Sequence, residues 1–373
     1  MNVEFPLIEI EGSPEERGIQ YGEKAKALIH RSGEIYQGVM AGYGCSWDNA
    51  LNLAEQYTPY IKNHSNELYE ELKGIAKGAG IALEVIIIIN GRSELLQGYD
   101  WKTSGNKSGM SLDDGCTSLL AMPDVTERNH LIHAQNWDWY VECLENTIVL
   151  RVKPEHGPTV LTYVEAGGLA RCGMNSAGIT ITGNYLESDI DFDRTGIPLS
   201  VIRRQVLQSN NLHGALSAII KSPRAVSNNM LVSSTEDCGV EAINLETSPE
   251  DIYFLYPENG VLSHPNHFES MVARIKLKDT GLSSSLCSLY RGPRLRRFLE
   301  QKAGSITIND FKAALADRFG APHGICRSPV TENNGGVTMT VATIIMDTKA
   351  QEMHVCKSPY NNEKYFTYSV ESG

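Results

Sequence analysis

Apolar and polar positions along the 373-residue chain first change rhythm near residue 115. Before it, apolar side chains recur at three- and four-residue spacing, the period of a helix with one buried face. Ser13-Pro14-Glu15-Glu16 supplies an N-cap, a proline at the first helical position and acids in the first turn, which predicts a helix running to about Tyr36. Two further helices are predicted, over about Trp47 to Lys62 and over Ser65 to Ala79, the second stopped by Gly80, and Leu83 to Leu96 carries an apolar core. Gly98 to Asp114 is rich in Gly, Ser, Lys and Asp without periodicity, and reads as a surface loop of the kind where chains are cut.

Beyond Gly115 the period becomes that of strands. Cys116–Met122, His130–Asn136, Asn146–Lys153, Pro158–Val164, Ala170–Met174 and Ile179–Asn184 are short runs rich in Leu, Val, Ile and Thr between turn residues, which predicts an antiparallel sheet. A helical pair follows at Pro198–Gln208 and Leu212–Ile220, then strands at Asn229–Ser234, Val240–Glu246 and Ile252–Tyr256. The C-terminal part adds a helix at about Pro293–Gln301, another opening at Thr307, and strands at Thr338–Met346 and Glu352–Lys357. Helices, strands, helices, strands predicts an α+β fold of two helical layers enclosing stacked antiparallel sheets. No fixed-period repeat and no Pro-rich linker divides it, so residues 1–373 read as one composite domain.

Composition narrows the function. A net charge of -12 opposes nucleic acid and anionic membranes alike. The longest apolar run, Val85 to Ile89, is far short of the ~20 residues that span a bilayer, and MNVEFPLIEIEGSPEER lacks the pattern of a signal peptide, so a cytoplasmic protein is expected. The eight cysteines contain no CxxC pair and, in that compartment, read as small hydrophobes rather than disulfides.

Motif searches remove several chemistries: there is no GxGxxG after a strand, no GxxxxGK[ST], no HExxH and no GxSxG. His130/His133 and His264/His267 are His-x-x-His pairs, but on strands that spacing sends the two rings to opposite faces, so no metal site is expected. Asp113-Asp114-Gly115-Cys116-Thr117-Ser118 is the informative stretch, because there the irregular loop meets the first convincing strand and a glycine precedes a cysteine. Attack of the thiol on the Gly115 carbonyl would turn the peptide into a thioester, and hydrolysis would leave Cys116 N-terminal. Its α-amine, ordinarily titrating at about 7.7–8.0, could serve as base for its own thiol. A turn glycine and a core thiol account equally for Gly115-Cys116.

Gly115-Cys116-Thr117-Ser118, then Gln135-Asn136-Trp137-Asp138-Trp139, then His264-Pro265-Asn266-His267-Phe268 resemble the acyl-coenzyme A:6-aminopenicillanic acid acyltransferase family, the C45 peptidase group of N-terminal nucleophile (Ntn) hydrolases. Glu16-Arg17-Gly18-Ile19-Gln20-Tyr21-Gly22 is similar to the family's start, and Gly324-Ile325-Cys326-Arg327 with Thr340 to Asp347 to its end. The resemblance implies a four-layer αββα sandwich. It also implies self-cleavage between Gly115 and Cys116 of an inactive precursor, giving an α chain of residues 1–115 and a β chain of residues 116–373 that stay associated. By the same resemblance Cys116 is the nucleophile, Asp138 orients its amine or a substrate polar group, and Asn266 donates to the oxyanion. Arg327 is carried over too, although the Ser328-Pro329 that follows departs from the histidine common there. Trp137 and Thr117 are candidate substrate-binding residues.

The expected activity is amide hydrolysis or acyl transfer on a small N-acyl amide, without a cofactor, with acyl-CoA among the conceivable donors. Two contrasting readings are a non-catalytic binding protein of the same fold and a cysteine hydrolase that uses His133 or His264 as base without cleavage. The partners expected are small molecules, neither nucleic acid nor membrane, with homo-oligomerisation left open.

Overall fold

Two β-sheets stacked face to face, each with helices on its outer side, carry the chain. The structure, a computed structural model, describes residues 4–95, 115–332 and 335–371; the loop expected over Gly98–Asp114 lies outside them. One sheet takes the spatial order β1 (Leu7–Gly12), β4 (Thr147–Pro154), β5 (Val160–Glu165), β6 (Cys172–Asn175), β7 (Ile179–Tyr185), β8 (Asn228–Glu236), β9 (Gly239–Thr247), β10 (Ile252–Leu255). The other runs β11 (Val261–His264), β2 (Cys116–Ala121), β3 (Ile132–Tyr140), β13 (Val337–Asp347), β14 (Glu352–Lys357), β15 (Tyr365–Ser369), with the short β12 (Val330–Thr331) paired to β13.

Against the first sheet lie α1 (Pro14–Lys24), α2 (Lys26–Gly42), α3 (Trp47–His64), α4 (Asn66–Ala79), α5 (Leu83–Asn90), α6 (Leu199–Leu207) and α7 (Leu212–Ile220). Beyond α8 (Met271–Lys276), α9 (Ser288–Glu300) and α10 (Ile308–Leu315) cover the second. This is the αββα sandwich the sequence led us to expect. Strands β2, β3 and β5 are buried at every position, as sheets covered on both faces must be.

Several boundaries differ for physical reasons. The first predicted helix is two, broken at Ala25, whose backbone leaves the helical region. The sheets are not wholly antiparallel, because β1 pairs parallel with β4, so the helix-rich N-terminal part also contributes an edge strand. Helix α9 starts five residues before Pro293 and carries that proline in its interior. Strand β3 continues through Trp137-Asp138-Trp139 to Tyr140.

The early glycines have a packing reason. A Cβ at Gly22 would stand 2.5 Å from the Ala79 nitrogen, and one at Gly74 would stand 2.6 Å from the Glu15 carbonyl oxygen and 2.9 Å from the Gly18 Cα. Helices α1 and α4 therefore touch backbone to backbone. Between them Arg17 Nε pairs with Glu71 at 2.5 Å, and Glu71 also receives Arg204 of α6 at 2.8 Å, all three side chains being buried. Tyr21 closes the join, donating to the Gly168 carbonyl at 3.2 Å and accepting from the Gly167 nitrogen at 3.0 Å.

Gly22→Ala is expected to destabilise the fold by roughly 1–3 kcal/mol, the usual range for overpacking, in urea denaturation. Gly38→Ala in α2, where an added Cβ meets nothing within 4 Å, should leave stability within about 0.5 kcal/mol or raise it slightly.

Candidate active site

Cys116 opens β2 and pairs in register with Trp137 of β3, while the ladder continues one residue back: the Asp138 N–H donates to the Gly115 carbonyl at 2.7 Å. The other end of that peptide is also held, since the Cys116 nitrogen donates to Asn266 Oδ1 at 2.9 Å. A Cβ at position 115 would lie 2.5 Å from Asp138 Oδ2 and 2.9 Å from Arg327 Nη2, both on buried side chains, so only glycine fits.

Asp138 is fully buried, accepts from Thr340 Oγ1 at 2.5 Å and lies 3.8 Å from Arg327 Nε. Arg327 is fixed through its backbone, its nitrogen donating to Thr340 Oγ1 at 2.7 Å. Asn266 sits in the Pro265 turn after β11. Its nitrogen donates to Ser288 Oγ at 2.8 Å and its side-chain amide to the Tyr185 carbonyl at 3.0 Å. The structure thus brings Gly115, Cys116, Asp138, Asn266 and Arg327 to one place.

Arg291, from α9, completes the cluster and was not singled out by sequence. It is fully buried, and its Nη1 donates to the Cys116 carbonyl at 2.9 Å and to Thr117 Oγ1 at 2.6 Å, while its Nη2 reaches Asn266 Oδ1 at 2.8 Å. Thr117 accordingly faces α9 rather than a substrate cavity. Trp137 is buried behind the site with the Arg171 guanidinium stacked 4.1 Å from its ring centroid. One-dimensional signal for Arg291 is poor, because it is the first of four arginines in Arg291-Gly-Pro-Arg294-Leu-Arg296-Arg297. Burial tends to raise the neighbouring Cys287 thiol, but the Arg291 and Arg327 charges outweigh it and hold its pKa below the ordinary value.

The four histidines of the His-x-x-His pairs go to separate partners. His130 Nδ1 meets Asp347 at 2.9 Å and His267 Nδ1 meets Ser288 Oγ at 2.8 Å. His133 reaches across to the other sheet, its two nitrogens meeting Ser233 Oγ at 3.0 Å and Thr182 Oγ1 at 2.9 Å. His264 gives Nε2 to Glu246 at 2.7 Å and Nδ1 to the Pro265 carbonyl at 3.0 Å. Burial opposes a charge on this ring, but the Glu246 carboxylate outweighs it and raises the pKa. Both nitrogens of His133 and of His264 are thus engaged away from Cys116, which leaves the histidine-base alternative without support.

Stacked sheets between helical layers, with a Gly-Cys junction opening an inner strand, define the Ntn-hydrolase class. The family model described as acyl-coenzyme A:6-aminopenicillanic acid acyl-transferase matches residues 125–360, a span containing Asp138, Asn266, Arg291 and Arg327 but beginning after Cys116. The chain belongs to this family, and so to enzymes that act on carbon–nitrogen bonds. It is 28% identical over 260 residues to the 40 kDa form of the Emericella nidulans acyl-coenzyme A:6-aminopenicillanic-acid-acyltransferase, covering 69% of this chain and 68% of that one. Among solved structures it is similar to a mutant of the Clostridium perfringens conjugated bile acid hydrolase, with TM-score 0.47 and 14% identity over 68% of this chain and 92% of that one. Agrobacterium tumefaciens penicillin V acylase gives 0.45 and 14% over 68% and 86%. Among the described residues no helix is long and apolar enough to cross a membrane.

Burial lowers the His133 pKa from 6.5 to about 3, so the ring is neutral in the fold and takes up its proton on unfolding. The unfolded chain then binds more protons between those two values, and stability falls as pH falls through that window. Urea denaturation of wild type and His133→Asn at pH 7 and 4.5 checks this: the variant should lose less stability on acidification, the difference approaching about 1.4 kcal/mol per pH unit.

Proposed function

We propose that the chain cuts itself between Gly115 and Cys116, and that Cys116, then N-terminal, breaks the amide bond of a small N-acyl amide through a thioester on its sulfur. The observation that carries this reading is the two-ended hold on one peptide, its carbonyl on the Asp138 N–H and its nitrogen on Asn266 Oδ1. In cleavage the Cys116 thiolate attacks the Gly115 carbonyl carbon, and the Asp138 N–H receives the developing oxyanion. The C–N bond breaks, the nitrogen leaves with a proton as the Cys116 α-amine, and the Gly115 acyl group remains on sulfur. Water then releases it as a carboxylate and restores the thiol.

In the mature enzyme the α-amine takes the thiol proton. The positive Arg291 beside it disfavours the ammonium form and so favours the amine as base. Sulfur attacks the substrate carbonyl, the leaving amine departs with a proton, and water resolves the acyl-Cys116 thioester. Asn266 gives one amide hydrogen to Tyr185 and has a second for the oxyanion, a role whose loss costs about 100- to 1,000-fold in rate. Asp138 and Arg327 hold the Gly115 side of the junction. Residues before the cut supply β1 and the α1–α5 helices, which supports two chains that stay together as one sandwich. Acyl-CoA-dependent transfer is the second reading, favoured by the name of the Emericella nidulans relative. We place the enzyme in the cytoplasm, in keeping with eight cysteines of which none forms a disulfide among the described residues.

Intact-mass analysis tests the cut. Wild type should yield two fragments, one starting at Cys116, while Cys116→Ala stays whole and Gly115→Ala is slowed at least about 10-fold by the clash with Asp138 and Arg327. A wild-type chain that stays intact on long incubation, or a Cys116→Ala chain that still cuts there, ends the proposal. Arg291→Met should move the acid limb of the turnover pH profile to higher pH, since the amine would then hold its proton more tightly; an unmoved limb would remove Arg291 from that role.

A further inference from the structure

We propose that Glu246 is a positioning residue for the reaction: from the first sheet it holds, at both ends, the turn of the second sheet on which Asn266 sits. The proposal rests on Asn266 as the oxyanion donor and adds what fixes that donor in place. Strand β11 ends at His264, and residues 265–270 form neither helix nor strand before α8 begins at Met271. Ladder pairing therefore does not set the position of Asn266, and side chains reaching the turn from other elements must do so.

Glu246 belongs to β9 and is fully buried. Its Oε1 meets His264 Nε2 at 2.7 Å and accepts from the Glu269 nitrogen at 2.5 Å, while its Oε2 accepts from the Ser270 nitrogen at 3.1 Å. One carboxylate thus closes the turn at its first residue and its last two, with Asn266 on the span between them. Asn184 of β7 adds a bond from its side-chain amide to the His264 carbonyl at 3.0 Å. Helix α9 packs the opposite side, where a Cβ at Gly292 would stand 3.2 Å from Pro265 Cδ, and Arg296 Nη1 donates to the Ser263 carbonyl at 3.2 Å.

The arrangement calls for a carboxylate. Three nitrogens converge on two oxygens, and an ionised carboxyl offers acceptors only, whereas an amide would turn its own N–H groups toward one of them. Bonds to a charged acceptor are also the shorter and stronger kind. A donor to a developing oxyanion works only when held within about 0.5 Å of its productive place, so a support of this kind bears on rate even though it lies beyond reach of the substrate.

The test takes the fastest of the acetyl to decanoyl p-nitroanilides as substrate, and the aldehyde and the carboxylate of the same acyl length as inhibitors. The aldehyde adds to the Cys116 thiol and places its oxygen where the oxyanion forms; the carboxylate reads binding alone. Glu246→Gln should lower kcat per cleaved chain by about 10- to 100-fold, the cost of misplacing a reacting group by about 1 Å, with KM within about 2-fold. Affinity for the aldehyde should fall in step while that for the carboxylate holds, and Glu246→Asp should lie between. A purely structural role would lower the urea midpoint and leave kcat per folded, cleaved chain unchanged. Crystal structures of wild type and Glu246→Gln read the position of Asn266 without turnover, and His264→Gln is read in the same ways where Glu246→Gln does not fold. Asn266 displaced in the variant of a wild type inert on every probe would sink the amide reading and leave this one. Asn266 unmoved in the variant, kcat unchanged, or equal losses of aldehyde and carboxylate affinity would overturn it.

Discussion

The hydrogen bond from the Asp138 N–H to the Gly115 carbonyl is the constraint around which the site is arranged. It extends the β2–β3 ladder one residue past the strand, so the Gly115–Cys116 peptide is gripped by a sheet buried on both faces. Because the Asp138 carboxylate and Arg327 close over the same spot, residue 115 has no room for a side chain. Asn266 and Arg291 then approach from the other side, and each is fixed by its own neighbours. Ser288 and the Tyr185 carbonyl hold Asn266, while Thr117 and the Cys116 carbonyl hold Arg291.

Buried ion clusters extend this rigidity outward. Arg17–Glu71–Arg204 ties α1 and α4 to α6, and Arg92–Glu165–Arg171 ties the residues after α5 to β5 and the loop before β6. Such clusters contribute little net stability over an apolar core, but losing one member leaves an uncompensated buried charge, so they favour a single arrangement of layers. Both lie on the chain that precedes Cys116 as much as on the chain that follows it. That is the physical ground for treating the two segments as one sandwich, whichever way the junction is processed.

The layers and most strands were legible in the sequence because strand and helix periods are local, while Gly115, Cys116, Asp138, Asn266 and Arg327 were legible together only through the resemblance of their motifs to a known family. Three kinds of feature were not. The parallel β1–β4 pair joins residues far apart in sequence, and Leu7–Gly12 carries no mark of its distant partner. Arg291 is one of a run of arginines, and only the close approach of α9 to the Pro265 turn, at Gly292, selects it. The polar residues facing between the sheets, Ser118, His133, Thr182 and Asn184, look like ordinary strand positions until the sheets are stacked and they bond to one another. Polar side chains at inward strand positions were the available signal, and alternation alone does not say which face is inward.

The proposed function requires acyl transfer through the sulfur of an N-terminal Cys116. Its most direct test is tandem mass spectrometry of wild-type protein quenched during turnover of a slowly hydrolysed N-acyl amide. The acyl mass is expected on Cys116 of a chain that begins at that residue. Acyl mass on Cys287 or another side chain, or on Cys116 within an uncut chain, would contradict it.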